Sequence, residues 1–302
     1  MYNKYSGKKN IDKYINYICE KLKTRYEIIE LYMSDQPGSI TCYISQNGEN
    51  YEFIAVVGGD GTISEAVNGI MNLKRRPTLG CIPTGTCNDA SKTLGLSRNI
   101  KKTMKIILQD NKTYLDVNKI NDRYFVYGMA IGNLINISFD VNYKLKKKLG
   151  RFAYYIEAVK NLNNDKSLEL DIVANGKRYS GDFFLFLATN SRYLASFKLR
   201  KKRRIYLDNN KLSVVLINRK NRLINLIDLG LYLLLGDRYT HNITSFESND
   251  ISIELKNPVY FNLDGEKAKD STKINVKVLP EQVEVIVSRK VLRKHFNKLS
   301  SF

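Results

Sequence analysis

Apolar residues recur at helical spacing near the start of the chain, where IDKYINYICEKLKT (11–24) puts Ile11, Tyr14, Ile15, Ile18 and Leu22 on one face. The period then shortens. YEIIELYM (26–33) reads as a strand, Pro37 and Gly38 mark a turn-rich piece, and FIAVV (53–57) is the wholly apolar, β-branched run expected of a parallel strand covered on both faces. TISEAVNGIMNL (62–73) returns to a helical pattern, TLGCIP (78–83) reads as a second buried strand, and TCNDASKTLGL (86–96) and NIKKTMKIILQ (99–109) as two further helices. Strands alternating with helices at this spacing predict a parallel α/β layer over about the first 115 residues.

From YLDVNKINDRYFVYGMAI (114–131) onward the pattern changes. Apart from an amphipathic helix around FAYYIEAVKNL (152–162), the segments LELDIVA, KRYSGDFFLFLATN, KLSVVLIN, ISIELK, VYFNLDG, KINVKVL and VEVIVS read as strands. The NG, NN, ND and DG dipeptides between them are the punctuation of antiparallel sheets. A chain of 302 residues has room for two domains, and the boundary is placed at 115/116, with a β-rich domain over 116–288. The helix-like tail, 289–302, is expected to pack back on the first domain.

Composition adds limits. Hydrophobic residues at 43% and charged residues at 26% describe a chain that folds. LINLIDLGLYLLLG (223–236) is interrupted by Asn225 and Asp228 and is shorter than the roughly 20 apolar residues of a spanning helix. The first residues lack the apolar core of a secretory signal, so a cytoplasmic protein is expected. Cys19, Cys42, Cys81 and Cys87 form no CxxC pair, and His241 and His295 sit in no ligand spacing, which argues against a disulfide framework, a zinc site and histidine-centred chemistry.

With 49 Lys and Arg against 30 Asp and Glu, the net charge is +19, much of it in KLKKKLGR (144–151), KLRKKRR (198–204) and RKVLRKHFNK (289–298). Such clusters suit nucleic acid, an anionic membrane or plain solvation. No RNP-type aromatic motif, zinc finger or helix-turn-helix accompanies them, so nucleic acid is not expected as a partner.

The chemistry concentrates in VVGGDGTISEAVNGI (56–70). Strand, then GGDGT, then helix exposes backbone N–H groups where a phosphate is favoured, and Gly58, Gly59 and Gly61 permit close approach. Asp60 would repel a bare phosphate, which makes better sense if Mg²⁺ mediates. Thr62 and Glu65 have the spacing of a capping box and stand equally as nucleotide contacts. Neither GxGxxG nor GxxxxGK[ST] is present. A second strand–loop–helix unit, LGCIPTGTCND (79–89), ends on Asn88 and Asp89, so two carboxylates on neighbouring loops could share a cation at the carboxyl edge of a parallel sheet.

GGDGTISEAVNGI together with PTGTCND resembles the catalytic domain of the soluble diacylglycerol kinase family, whose relatives include sphingosine and ceramide kinases. YNKYSGK (2–8), YLDV, YFVYGMAIG, KLKKKLGRFAYYI, LFLATNS and FNLDGE have counterparts there too. The resemblance implies a Rossmann-like, parallel-sheet nucleotide domain, a C-terminal antiparallel β-sandwich domain, and ATP-dependent, Mg²⁺-dependent phosphorylation of a lipid hydroxyl, most simply that of diacylglycerol, in phospholipid biosynthesis. It implies that Asn3, Ser6, Gly7, Ser34, Gly58, Gly59, Asp60, Gly61, Thr62, Glu65, Gly85 and Thr86 hold ATP, and that Asp60, Asp89 and Asp116 organise Mg²⁺. Asp264 or Glu266 of LDGE would be the base, a reading the other motifs favour over a plain DG hairpin turn. Tyr206, Asn209 and Lys211 would form a structural metal site. The basic clusters would promote docking on an anionic membrane at the inner face, and a homodimer is a family-level expectation.

The sequence also departs from the family. It opens at the first loop without the strand that normally precedes Asn3, which implies a misplaced start or a lost central strand. NKYSG lacks the usual proline, Ala90 replaces an aromatic, Asn209 and Asn210 replace an acid and a glycine, and Ser196 replaces a glycine. A soluble-metabolite kinase of the NAD kinase type and a non-catalytic, membrane-associated relative are the alternatives.

Overall fold

The computed structural model describes residues 1–3, 11–132, 167–191, 193–194, 197–198, 209–239 and 241–295. The helix expected at 152–162, the basic run at 144–151, most of that at 198–204, and Ser6, Gly7, Ser196 and Tyr206 lie outside the described residues. Two compact units emerge: Met1–Val117 with Tyr206–Asn209 and Pro280–Phe302, and Asn118–Ile205 with Asn210–Leu279. The chain thus returns to the first unit at Pro280, ahead of the tail assigned to that role from the sequence.

In chain order the first unit carries β1 (Tyr2–Asn3), α1 (Asp12–Leu22), β2 (Met33–Ser34), α2 (Ser39–Asn47), β3 (Phe53–Gly58), α3 (Asp60–Met71), β4 (Thr78–Pro83), α4 (Asp89–Thr93) and α5 (Ile100–Leu108). β5 (Lys112–Ile120) leads onward to β6 (Arg123–Phe125), β7 (Gly128–Gly132), β8 (Glu169–Ala174), β9 (Lys177–Thr189), β10 (Tyr193–Leu194) and β11 (Phe197–Lys198). β12 (Leu212–Asn218), α6 (Arg222–Leu235), β13 (Ile243–Ser248), β14 (Asp250–Leu263), β15 (Glu266–Ile286) and α7 (Arg289–His295) complete the chain.

The pairings of β1 with β2 and β3, of β3 with β4 and of β4 with β15 are parallel, and β15 also pairs with β5. β3 and β4 run in register from Phe53 opposite Thr78 to Gly58 opposite Pro83, and Val285 of β15 pairs with Leu79. β1 lies between β2 and β3, with Tyr2 opposite both Met33 and Val57. The short opening strand is held on both sides, with Val57 N–H donating to Met1 O and Tyr2 N–H to Tyr32 O. The strand read at 26–33 shrinks to Met33–Ser34, leaving Ile28 and Leu31 exposed.

The helical face read at 11–24 packs as its spacing dictates except at its edge, where Tyr14 is exposed. Ile11, Ile15, Ile18 and Leu22 meet Ile100, Met104 and Ile107 of α5 and Val57 and Ile82 of the sheet. α2 was not legible, since SITCYISQN is rich in β-branched and polar residues of modest helix propensity. Tertiary packing holds it: Ile40 and Ile44 are buried, and a Cβ on Gly69 would stand 2.7 Å from Ile44, so glycine lets α2 and α3 approach closely.

The second unit is antiparallel. β12 pairs with β9 and β13, β7 with β9 and β14, β8 with β9 and β14, and β14 with β15. Inward residues such as Ile131, Ile172, Phe186, Val214, Ile253 and Ile274 form its core. Asn175–Gly176 and Asp264–Gly265 both have positive φ, as two-residue hairpins require. The whole is a mixed α/β fold with an extensive antiparallel sheet.

Candidate functional site

Because β3 and β4 end at the same level, the loops after them leave the sheet side by side, joined by Thr84 N–H donating to Gly58 O at 2.9 Å. α3 begins at Asp60 with Gly59 as its N-cap and no side-chain cap. The capping box is thereby excluded. Thr62 sits in the first turn, turned against Gly58, where a Cβ would come within 2.4 Å of it. Glu65 lies in the second turn, and its buried Oε2 has no hydrogen-bond partner.

The two loops touch through backbone. A Cβ on Gly85 would stand 2.6 Å from Gly59 Cα and 2.9 Å from Asn88 Oδ1. Asp60 adds a second tie, its Oδ1 accepting from Ala90 N–H at 3.0 Å in the first turn of α4. Asn88 adopts the left-handed conformation (φ 55°) and donates from Nδ2 to Gly85 O at 2.6 Å. Its Oδ1, together with Thr84 Oγ1 and Ser91 Oγ, is buried without a partner. Buried polar atoms are nearly always paired, so this set marks where a polar ligand fits. Thr84, Asn88 and Ser91 were not singled out as ligand contacts from the sequence. The available signal was the run of short polar side chains between Pro83 and Lys92. On β4 beneath them, burial pushes the Cys81 thiol up to about 12, with the charge of Asp60 adding.

The remaining nucleotide-site residues are placed individually. Asn3 pairs with Ser34 across β1 and β2, and the buried Ser34 hydroxyl lies 2.9 Å from Ser39 Oγ. Thr86 is exposed. Asp89 is buried and ion-paired with Lys92 at 3.4 Å. Asp116, buried on β5, accepts from Glu281 N–H at 3.1 Å and pins a residue of positive φ within β15. Asp60, Asp89 and Asp116 thus have protein partners, and among the described residues no three His, Cys, Asp or Glu side chains are grouped to hold a metal. The carboxylate network expected from the sequence is not assembled as a direct three-acid cage. The unpartnered donors are nevertheless all oxygens, a hard set that suits Mg²⁺. Asn209 and Lys211 flank Asn210, which has positive φ.

Asp264 and Glu266 belong to the second unit and differ sharply. Asp264 is 1% exposed at the β14–β15 turn. Its Oδ2 accepts from Val126 N–H at 2.7 Å, and its Oδ1 from Tyr127 N–H at 2.9 Å and Gly128 N–H at 3.1 Å. The carboxylate is a clamp on the entry to β7, with both oxygens accepting backbone N–H groups. Glu266, opposite Leu263, is exposed. The DG turn is therefore real, and the exposed acid follows it.

Comparison with known proteins agrees with these features. Residues 1–120 match the diacylglycerol kinase catalytic domain. The chain is 30% identical to a diacylglycerol kinase of Staphylococcus carnosus, covering 84% of this chain and 86% of the relative, and 32% identical to one of Staphylococcus aureus, covering 88% and 84%. A crystal structure of a diacylglycerol kinase from Bacillus anthracis superposes with a TM-score of 0.81 at 25% identity, over 96% of each chain. An NAD kinase of Archaeoglobus fulgidus shares the fold alone, with a TM-score of 0.54 at 15% identity over 100% and 98% of the two chains. With two glycine loops held together by Asp60 and relatives aligned over most of its length, the chain belongs to the diacylglycerol kinase family, a family of lipid kinases.

Proposed function

We propose that this kinase transfers the γ-phosphate of ATP to the hydroxyl of diacylglycerol, giving phosphatidic acid. In this reading the parallel layer serves as a Rossmann-like nucleotide domain and the antiparallel unit as the lipid-binding domain. The observation that carries it is the joined pair of loops at the start of α3, where backbone N–H groups and the unpartnered Thr84 hydroxyl can donate to phosphate oxygens while the acceptor Asn88 Oδ1 suits a bound cation.

Glu266 takes the proton of the acceptor hydroxyl as its oxygen attacks the γ-phosphorus and the bond to ADP breaks. Asp60, Asp89 and the phosphate oxygens would hold Mg²⁺, which offsets charge on the transferred group. The nonpolar packing of Gly59 against Gly85 fixes the separation of the loops. Incubation with labelled ATP, Mg²⁺ and diacylglycerol vesicles is expected to give labelled phosphatidic acid. A protein that labels no lipid but converts NAD to NADP would transfer the assignment to the metabolite kinases.

Gly85→Ala tests the cradle separately. Its methyl group overlaps Gly59, so the loops must part, and we expect the KM for ATP to rise about tenfold with a stability loss of about 1–3 kcal/mol, read from kinetics and thermal melts. An unchanged KM would show that the spacing does not matter to the nucleotide.

A further inference from the structure

α6 carries apolar residues on its outer face as well as its inner one, unlike an ordinary helix facing water. Its buried side carries Asn225, Asp228 and Tyr232, at 0%, 2% and 2% exposure, while Leu223, Ile224, Ile227, Leu234 and Leu235 are 43–61% exposed. At 100° per residue those five fall within one arc of about 120°. A surface helix ordinarily turns such residues inward.

The polar side is not an accident of packing, because it is fully engaged. Asn242 Nδ2 donates to Asp228 Oδ2 at 3.0 Å and to Asn218 O at 3.0 Å. Tyr239 OH donates to Asp228, and Asn225 Nδ2 to Lys220 O at 3.3 Å. Between these groups Leu226 and Leu229 pack on Leu185, Leu187, Val215 and Ile217. The network fixes the rotation of the helix, and with it the outward direction of the apolar arc.

Resting on the reading of the chain as a lipid kinase, we infer that the outer face of α6 inserts into the surface of an anionic bilayer. Charge supports that occupant: Lys220 and Arg238, one beyond each end of the helix, are exposed, whereas Asp228 is turned inward and hydrogen-bonded. Apolar residues between cations are the pattern of an interfacial helix. No helix among the described residues is long and apolar enough to cross a membrane, so the face lies on the bilayer rather than spanning it. Gly230 borders this arc, about 20° from Leu223 at 100° per residue, and a Cβ there would meet nothing within 4 Å, so a larger apolar side chain at this point would add to the inserted surface.

The test is sedimentation of the full chain with phosphatidylcholine vesicles, with and without phosphatidylglycerol, in the absence of ATP and diacylglycerol. The wild type is expected to pellet with the anionic vesicles, Ile227→Asp/Leu234→Asp to bind them at least about tenfold more weakly, and Gly230→Leu to bind more tightly. The double variant should keep its melting temperature and its activity on a detergent-dispersed substrate. Equal vesicle binding by wild type and double variant overturns the inference. So does a wild-type dimer that the double variant, or Gly230→Leu, dissociates, since the face is then covered by a second copy. Because binding is read without turnover, a failure of the kinase assignment and a failure of the docking assignment give different results.

Discussion

Asp60→Asn is expected to lower phosphotransfer by about 10²–10³-fold while leaving the melting temperature nearly unchanged. The separation follows from what each oxygen does. Asp60 Oδ1 accepts the Ala90 N–H that ties the first loop to α4, and asparagine keeps a carbonyl oxygen to accept it. What disappears is the negative charge beside the loops, the feature that a bare phosphate would not tolerate and a metal-bound phosphate requires. Asp60→Ala removes both, so it should add a stability loss of about 1–3 kcal/mol from the stranded N–H. Full activity in Asp60→Asn would mean that the carboxylate is only a loop tie, and the proposed role for a cation next to it would fall.

The legibility of this chain follows the length of its patterns. Helices and strands with several turns or alternations, such as 11–24, 53–57 and the hairpin strands, could be read because burial imposes a period on the residues. α2 could not, because two buried isoleucines and a glycine on the neighbouring helix hold it rather than its own propensities. The run 26–33 misled for the opposite reason: its β-branched residues favour a ladder, yet most of the run has no strand partner.

At the candidate site, glycine spacing revealed the two loops but not the partners of the side chains. A carboxylate looks the same in sequence whether it faces a ligand, as proposed for Asp60, or holds a strand in place, as Asp116 holds Glu281. Thr84 and Asn88 were overlooked because only the folded loop shows that their oxygens are buried and unpaired.

The LDGE turn gives the clearest contrast between those two kinds of acid, and its variants are expected to fail in different ways. Asp264→Asn retains the left-handed backbone at φ 52°, which asparagine adopts as readily, so any loss must come from the side chain. An amide can accept the Tyr127 and Gly128 N–H groups, but its NH₂ then faces Val126 N–H and leaves that buried donor unmet. With the two remaining bonds no longer charge-assisted, we expect a loss of about 3 kcal/mol and a fall in melting temperature of about 10 °C. Glu266→Gln changes an exposed residue at the start of β15. It should leave the melting temperature unaltered and reduce kcat by about 10²–10⁴-fold, the contribution of a positioned general base. Melting curves and steady-state kinetics on both variants decide the matter. If Asp264→Asn melts like the wild type yet is as inactive as Glu266→Gln, the clamp on Val126–Gly128 is not what Asp264 is for, and the base must be reassigned to it.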